Sequence, residues 1–395
     1  MPGGVVVGLE VLLEELALVR GRRFALLANQ ASVTQELETS WQALSRAGCQ
    51  PVRLLAPEHG LWGIAQDMEP VETEREPATG VEIVSLYGRD PATLAPPPGV
   101  LEDLEAVVVD LPDIGCRYYT FAATLALTMA ACAAAGVEVI VCDRPNPLGG
   151  VELEGGPVTP SCRSFVSELP VPVRHGLTLG ELALLLKTQR FPHLTLTVLP
   201  CRGWQRAMTW EETGLPWVAP SPNMPTPTTA RIYPGACLVE ATNLSEGRGT
   251  TRPFQLIGAP WLDGEALASA LNAVAPPAFR FRATRFRPEF GKHAGQVCQG
   301  VEWHVLDRRA AGALAVGLEL LQYARALHPL HFAWREAPYE FVRDVPAIDL
   351  LTGSATARQA VLGEVSLAEV QQRWEQYCQE FAQERRPFLL YPEAS

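Results

Sequence analysis

Ala106-Val-Val-Val-Asp110-Leu-Pro-Asp113-Ile-Gly-Cys-Arg117-Tyr118-Tyr-Thr-Phe121 opens the stretch that decides the fold, and Gly136-Val-Glu-Val-Ile-Val-Cys142-Asp143-Arg144-Pro-Asn146-Pro closes it. Short apolar, β-branched runs bounded by turn residues read as buried strands. The Ala-rich run 121–135 between them reads as a buried helix stopped at Gly136. Strand, helix and strand make a βαβ unit. Outward from it the alternation repeats. Strands are expected at 24–29, 52–56, 82–87 and 194–199, and helices at 9–20, 34–47 and 180–190. Such alternation predicts an α/β fold with a doubly wound, mostly parallel sheet covered on both faces. A Pro-rich crossing, Leu215-Pro-Trp-Val-Ala-Pro-Ser-Pro-Asn-Met-Pro-Thr-Pro-Thr, follows. Beyond it, helices at 264–274, 310–327 and 367–385 and strands at 279–286 and 300–307 predict a smaller α+β lobe. The expected division is residues 1–232 and 233–395, with the boundary near Tyr233.

The chain has 395 residues, of which 47% are hydrophobic and 19% charged, enough to bury a large core. Its net charge of −12 argues against nucleic acid or an anionic membrane as partner, because both need a basic face. A small anionic substrate held by a few local arginines stays open. The nine cysteines are odd in number and form no CxxC pair, which argues against a disulfide framework or zinc ribbon. The first residues lack a basic n-region and soon reach acidic ones, so a cytoplasmic chain is expected, secreted or periplasmic if a leader was removed. No apolar stretch is long enough for a transmembrane helix.

Open parallel sheets hold ligands outside the carboxyl ends of their strands. Unusual polar residues cluster at those ends here. Pro57-Glu58-His59-Gly60 follows one strand. Glu58 is the candidate acid for a leaving oxygen, with His59 to orient it; the bland alternative is a turn with a solvated Glu. Asp110, Asp113 and Arg117-Tyr118-Tyr119-Thr120 lead into a helix whose N-terminus favours anions. Equally, an Asp there can cap the helix and pair with Arg117. Asp143-Arg144-Pro-Asn146 reads as a binding loop or as an Asx-type turn. Arg174-His175 precede Thr178-Leu-Gly-Glu181, a capping box. Asn223 stands between prolines, which suits a fixed hydrogen-bonding side chain. The loop holding Asn243, Glu246 and Arg248 mixes acids, amides and glycines without the phosphate-loop pattern. It fits a polar substrate loop. No GxGxxG, GxSxG or HExxH occurs. No metal site, nucleotide or other cofactor is therefore expected.

On these residues the chain resembles the NamZ-type (YbbC-like) exo-β-N-acetylmuramidases. The matching segments are Ala56-Pro-Glu-His-Gly-Leu-Trp-Gly63, 110–120, Asp143-Arg-Pro-Asn-Pro-Leu-Gly149, Arg174-His-Gly-Leu-Thr178, Ser221-Pro-Asn-Met-Pro225 and Glu240-Ala-Thr-Asn-Leu-Ser-Glu-Gly-Arg-Gly-Thr250. They lie in order over most of the chain. The resemblance implies a Rossmann-like lobe, a smaller C-terminal lobe and a cleft between. It implies removal of non-reducing-end β-linked N-acetylmuramic acid from peptidoglycan fragments. Glu58 falls where the family's proposed catalytic glutamate lies.

Glycoside cleavage needs an acid for the leaving oxygen and help at the anomeric carbon, often from a second carboxylate. Glu58 is the expected acid. Asp113, Glu246, Asp110 or the substrate's own N-acetyl group are candidates for the second role. Arg117, Arg144 and Arg248 are the candidates for the lactyl carboxylate. His59, Tyr118, Asp143, Asn146, Arg174, His175, Asn223 and Asn243 complete the expected carbohydrate-binding set. The alternative is a two-lobed sugar- or muropeptide-binding protein without catalysis.

Overall fold

A computed structural model describes residues 4–392. Its main sheet has seven strands: β1 Phe24–Ala28, β2 Arg53–Ala56, β3 Glu74–Arg75, β4 Glu82–Ser85, β5 Ala106–Asp110, β6 Glu138–Cys142 and β7 Leu196–Leu199. They lie in the order β3-β4-β2-β1-β5-β6-β7. All neighbours pair in parallel except the short edge strand β3. Counted without β3, the order is that of dinucleotide-binding sheets, reversing direction between β1 and β5.

Successive side chains of a strand point to opposite faces, and here both faces are buried. Ala25, Leu27, Val107, Val109, Val139 and Val141 enter one core with Leu125, Met129, Leu182 and Leu186. Phe24, Leu26, Ala106, Val108 and Ile140 enter the other with Leu9, Leu12, Trp41 and Leu44. Each such side chain contributes roughly 1.5–3 kcal/mol by burial. A charge at Leu26 or Val108 would have no water to reach on either side.

The helix Phe121–Ala135 runs between the expected bounds, apolar on nearly every side, and ends at Gly136 with φ 71°. Two expected helices are shorter. The first is Gly8–Glu14 followed by a separate 3₁₀ turn, Leu16–Leu18. The second is Ser40–Arg46, because Val33 bridges Thr39 and Leu37 takes a left-handed φ of 63°. The Pro-rich crossing ends differently from its reading. Pro227 begins a helix, Pro227–Ala236, whose cap Thr226 accepts from the Thr229 amide at 3.2 Å. Tyr233 lies inside this helix.

The second sheet is antiparallel, with strands β8 Leu256–Ala259, β9 Phe279–Phe286 and β10 Cys298–Val305 in the order β8-β10-β9. The helices Gly264–Val274 and Ala313–Leu327 pack with it in the same core as the first lobe. The Pro227–Ala236 and Ala313–Leu327 helices cross at two glycines. A Cβ on Gly235 would lie 1.9 Å from the Ala313 carbonyl oxygen, and one on Gly317 2.4 Å from that of Gly235. All nine cysteines are free and buried. Among the described residues no helix is long and apolar enough to cross a membrane.

Candidate active site

The loops after β2 and β5 and the segment 221–224 meet two loops of the second lobe around a small cavity. Four carboxyls line it: Glu58, Asp67, Glu240 and Glu340. His59, Thr120, Ser221, Asn223 and Arg248 complete its polar wall, and Tyr118, Tyr119, Tyr233, Phe254 and Tyr339 its aromatic one. Tyr233 stands 5.8 Å from Tyr118, 5.9 Å from Tyr119 and 4.9 Å from Phe254, centroid to centroid. Aromatic faces of this kind suit the apolar face of a sugar ring.

Glu58 is buried just beyond β2. Its Oε2 accepts from the Thr120 hydroxyl at 2.7 Å and its Oε1 from the Met68 amide at 3.3 Å. His59 Nδ1 donates to the Ala65 carbonyl at 2.9 Å, which fixes the ring. Asn223 donates to Gln66 Oε1 at 2.8 Å. Across the cavity the Tyr87 hydroxyl donates to Glu340 Oε2 at 2.9 Å. Burial, then the nearby Glu58 charge, pushes the Glu340 carboxyl well above the usual range. Glu240 accepts from Arg248 at 2.5 Å and from the Tyr339 hydroxyl at 2.7 Å. Burial opposes the charge on Arg248, but Glu240, Asp67 and Glu246 together hold its pKa well above the usual value.

Backbone strain collects here. Seven non-glycine residues among those described have positive φ, and five of them line or adjoin the cavity: His59, Met68, Phe254, Glu340 and Phe341. Each costs about 1–3 kcal/mol and persists only where the surroundings enforce it. Glu340 and Phe341 are the two central residues of a tight turn closed by two 2.9 Å bonds between Tyr339 and Val342. Such a turn ordinarily takes Asn-Gly. Its occupants here are chosen for their side chains.

Of the residues expected at the site, the structure gathers Glu58, His59, Tyr118, Asn223 and Arg248 into this cavity. Glu246 sits behind the lining, 3.4 Å from Arg248 and 3.0 Å from Lys292. Burial would raise its pKa, but Lys292 and Arg248 outweigh burial and lower it. The others lie elsewhere. Arg117 is fully buried and donates to the carbonyls of Gly156, Val171 and Leu351 at 2.8, 2.7 and 3.0 Å. Asp143 sits under the N-terminus of the Leu179–Gln189 helix and accepts from Thr178, Gly180 and Tyr391. Arg144 forks onto Asp110 at 2.6 and 2.9 Å. Asn146 ties Leu148 to Leu177, and Asn243 ties the main chain at His331 and Ala333. Arg174 pairs with Glu154 at 3.1 Å.

Asp113 and Arg144 line a separate, largely apolar pocket of about 520 Å³ beside Trp210, Trp217 and Pro220. Burial pushes the Asp113 carboxyl up to about 7. It also pulls the neighbouring His175 down to about 3, helped by Arg385, Arg117 and Arg206. The 3.8 Å approach of His175 to Asp113 is therefore not an ion pair near neutral pH.

The sequence reading missed Glu340 and Asp67 as site residues, and met Glu240, Tyr119 and Thr120 only within motifs and Tyr87 only as a strand end. Glu340 and Asp67 lie in irregular segments with no periodicity to place them. The available signal was composition alone: an acid between aromatics at Tyr339-Glu340-Phe341.

Several buried carboxyls on one cavity with an aromatic wall are the groups a carboxyl-type glycosidase uses, and comparison with known proteins places the chain in that class. Family models described as "Exo-beta-N-acetylmuramidase NamZ, N-terminal" and "C-terminal" match residues 24–228 and 231–391. The chain is 37% identical, over 98% of its length and 91% of the relative's, to "Peptidoglycan beta-N-acetylmuramidase NamZ" of Bacillus subtilis (strain 168). It belongs to the NamZ family. Crystal structures of two DUF1343 family proteins from Bacteroides fragilis NCTC 9343 share its fold. One has a TM-score of 0.88 at 31% identity, covering 98% of this chain and 99% of that one. The other has 0.74 at 27%, covering 99% and 100%.

Proposed function

We propose that this glycosidase removes single N-acetylmuramic acid residues, β-linked at the non-reducing end, from peptidoglycan fragments, with Glu58 as general acid. The observation that carries the reading is the lining of the Glu58 cavity: four carboxyls with an arginine among them and an aromatic wall, which suit a sugar ring and the breaking of its glycosidic bond. The turn at Glu340 and the loop at Asp67 both contribute to its lining. Glu58 lies on its wall, beyond a strand of the parallel sheet, within reach of a glycosidic oxygen entering from the open side. Arg248 is the one arginine of the three expected for the lactyl carboxylate that lines this space. Glu240 holds one end of its guanidinium at 2.5 Å, and Asp67 and Glu246 stand 3.3 and 3.4 Å from the rest, so a lactyl carboxylate would bind there by displacing one of these acids.

A proton from Glu58 to the glycosidic oxygen and a water to the anomeric carbon balance the hydrolysis. Among the described residues no group of three or more His, Cys, Asp or Glu is placed to hold a metal ion. The test is incubation with a disaccharide carrying N-acetylmuramic acid at its non-reducing end, and with longer fragments. Free N-acetylmuramic acid should appear from the first turnover, with the remaining chain shortened by one sugar. Release of internal disaccharides instead would refute the exo mode.

A further inference from the structure

We propose that the crevice where the strand order reverses, beyond β1, β5 and β6, is a second ligand site, built to hold a secondary amide: the acetamido group of an amino sugar or one unit of a peptide. The site stands whether or not Glu58 is the acid.

Topology puts a crevice there, and the side chains give it chemistry. Open α/β sheets take their ligands at such a reversal. Ala31 and Val33 follow β1, Pro112 and Asp113 follow β5, and Arg144 and Pro145 follow β6. Trp210, Trp217 and Pro220 complete the wall, the two indoles meeting edge to face with centroids 5.1 Å apart. No residue of this lining belongs to the Glu58 cavity, although Pro220 here and Ser221 there are chain neighbours.

Two polar atoms of these lining residues have no partner. Asp113 Oδ2 accepts from the Gly115 amide at 2.6 Å, but Oδ1 is buried without a hydrogen bond. The Trp210 indole N–H is buried and unpaired as well, whereas that of Trp217 donates to the Met224 carbonyl at 3.1 Å. Buried polar atoms are nearly always paired, so each orphan calls for an account. The unpaired indoles of Trp41, Trp204 and Trp303 lie in the apolar cores. Trp210 instead shares a pocket with an unpaired acceptor. The nearby charges do not fill the gap. Arg144 is forked onto Asp110, and His175 stays 3.8 Å from Asp113 Oδ2.

One acceptor and one donor on an apolar wall are the complement of a secondary amide. Its N–H donates to Asp113 Oδ1, its carbonyl accepts from the Trp210 N–H, and its flat face and methyl group lie against Pro112, Pro145 and Trp217. An ionised acceptor strengthens the first of these bonds. Holding the Gly115 amide does not require a charge, since an asparagine would accept equally well. Peptidoglycan carries secondary amides both on its amino sugars and along its peptides.

The experiment is saturation-transfer NMR with two probes, N-acetylglucosamine and N-formylalaninamide, a neutral peptide unit without an acetyl group. Glucose, which has no amide, is the blank. Each probe is titrated into wild type, Trp210→Phe, Asp113→Leu and Glu58→Gln. Trp210→Phe keeps a ring and removes the N–H; Asp113→Leu keeps bulk and removes the acceptor. The probe that binds names the source of the amide. Its Kd should rise roughly tenfold in Trp210→Phe and in Asp113→Leu, the scale of one hydrogen bond lost to a buried partner, and should hold in Glu58→Gln. Thermal unfolding shows which variants are folded, and Trp210→Phe decides if Asp113→Leu is not. A crystal structure with the bound probe should show it between Asp113 and Trp210. No binding of either probe, a Kd unchanged in either folded variant, or a probe seated at Glu58 with the crevice empty overturns the proposal. The exo-cleavage test of the Glu58 reading is unaffected by any of these results.

Discussion

The cavity at Glu58 and the polar core under the Leu179–Gln189 helix use the same residue types at the ends of neighbouring strands, with opposite results. In the polar core every charge has its answer. Asp143 takes hydrogen bonds from Thr178 at 2.7 Å and Gly180 at 2.8 Å, and Arg206 donates to Glu181 at 2.6 Å, both members fully buried. Arg117 next door spends its guanidinium on three carbonyls. In the cavity, by contrast, Arg248 takes up Glu240 and Asp67, while Glu58 and Glu340 face the same space with the Thr120 and Tyr87 hydroxyls and, among the described residues, no cation of their own. Satisfied charges build a core. A buried carboxyl without a cation on a cavity wall, its pKa pushed up by burial as at Glu340, is a candidate for chemistry.

That contrast breaks first at Arg117. If it is a structural residue, Arg117→Ala should lower stability by about 3 kcal/mol or more, because three buried carbonyls lose their donor. The surviving folded enzyme should keep its kcat/KM within a few-fold. Chemical denaturation together with active-site titration checks this, and a stable but inactive variant would return Arg117 to the site. Glu58→Gln should do the reverse. The fold stays and kcat falls by at least ~100-fold, the scale of losing a general acid. An activated aryl leaving group should hide part of the loss, since it needs less protonation.

Arg248 sharpens the comparison by lying between the two cases, paired yet exposed to the cavity. Arg248→Ala should reduce the preference for an N-acetylmuramoside over the matching N-acetylglucosaminide by roughly ten- to a hundredfold in kcat/KM, about 1.5–3 kcal/mol. Arg248→Lys should recover little, lacking the planar fork. An unchanged ratio in both variants would rule Arg248 out as the reader of the lactyl group.

The smallest effect is expected at Asp113. Its folded pKa, about 7, is raised above the ordinary ~3.9. Its contribution to stability is therefore present below pH ~4 and lost as pH rises through 7. His175 has the opposite slope. Depressed to about 3, it contributes above pH ~6.5 and loses that contribution on acidification toward 3. The readout is thus the difference between Asp113→Asn and wild type. Unfolding free energies in urea should coincide near pH 4 and diverge in the variant's favour as pH rises through 7. A difference constant across pH would mean that Asp113 is not buried as a titrating group.

The sheet was legible because five- and six-residue apolar runs and a helix bounded by Thr120 and Gly136 carry their own punctuation. Gly264–Val274 and Phe279–Phe286 were equally plain. The helix Pro227–Ala236 was hidden by its prolines, although Pro227 stands at the one helical position that favours it. The site was half legible. Glu58 announces itself by standing between a strand and two glycines. Glu340 does not, since its placement depends on a turn made by Tyr339 and Val342 far along the chain. Arg117 and Asp143 misled because a strand-end charge looks the same in sequence whether its partners are substrate atoms or main-chain carbonyls.

The nine buried thiols give this molecule a clock. A thiol reacts as its thiolate, and burial pushes Cys132 and Cys378 up to about 12. An alkylating reagent therefore finds little to attack while the chain stays folded. Labelling then proceeds only as often as the structure opens, segment by segment, and each cysteine timestamps its own neighbourhood. Cys116 and Cys237 lie next to the tyrosines of the cavity wall, Cys142 ends β6 in the core shared with Leu9 and Trp41, Cys201 sits in a small cluster with Trp204 and Tyr391, and Cys298 is on the small sheet. The order in which they are lost would show which part of the enzyme lets go first.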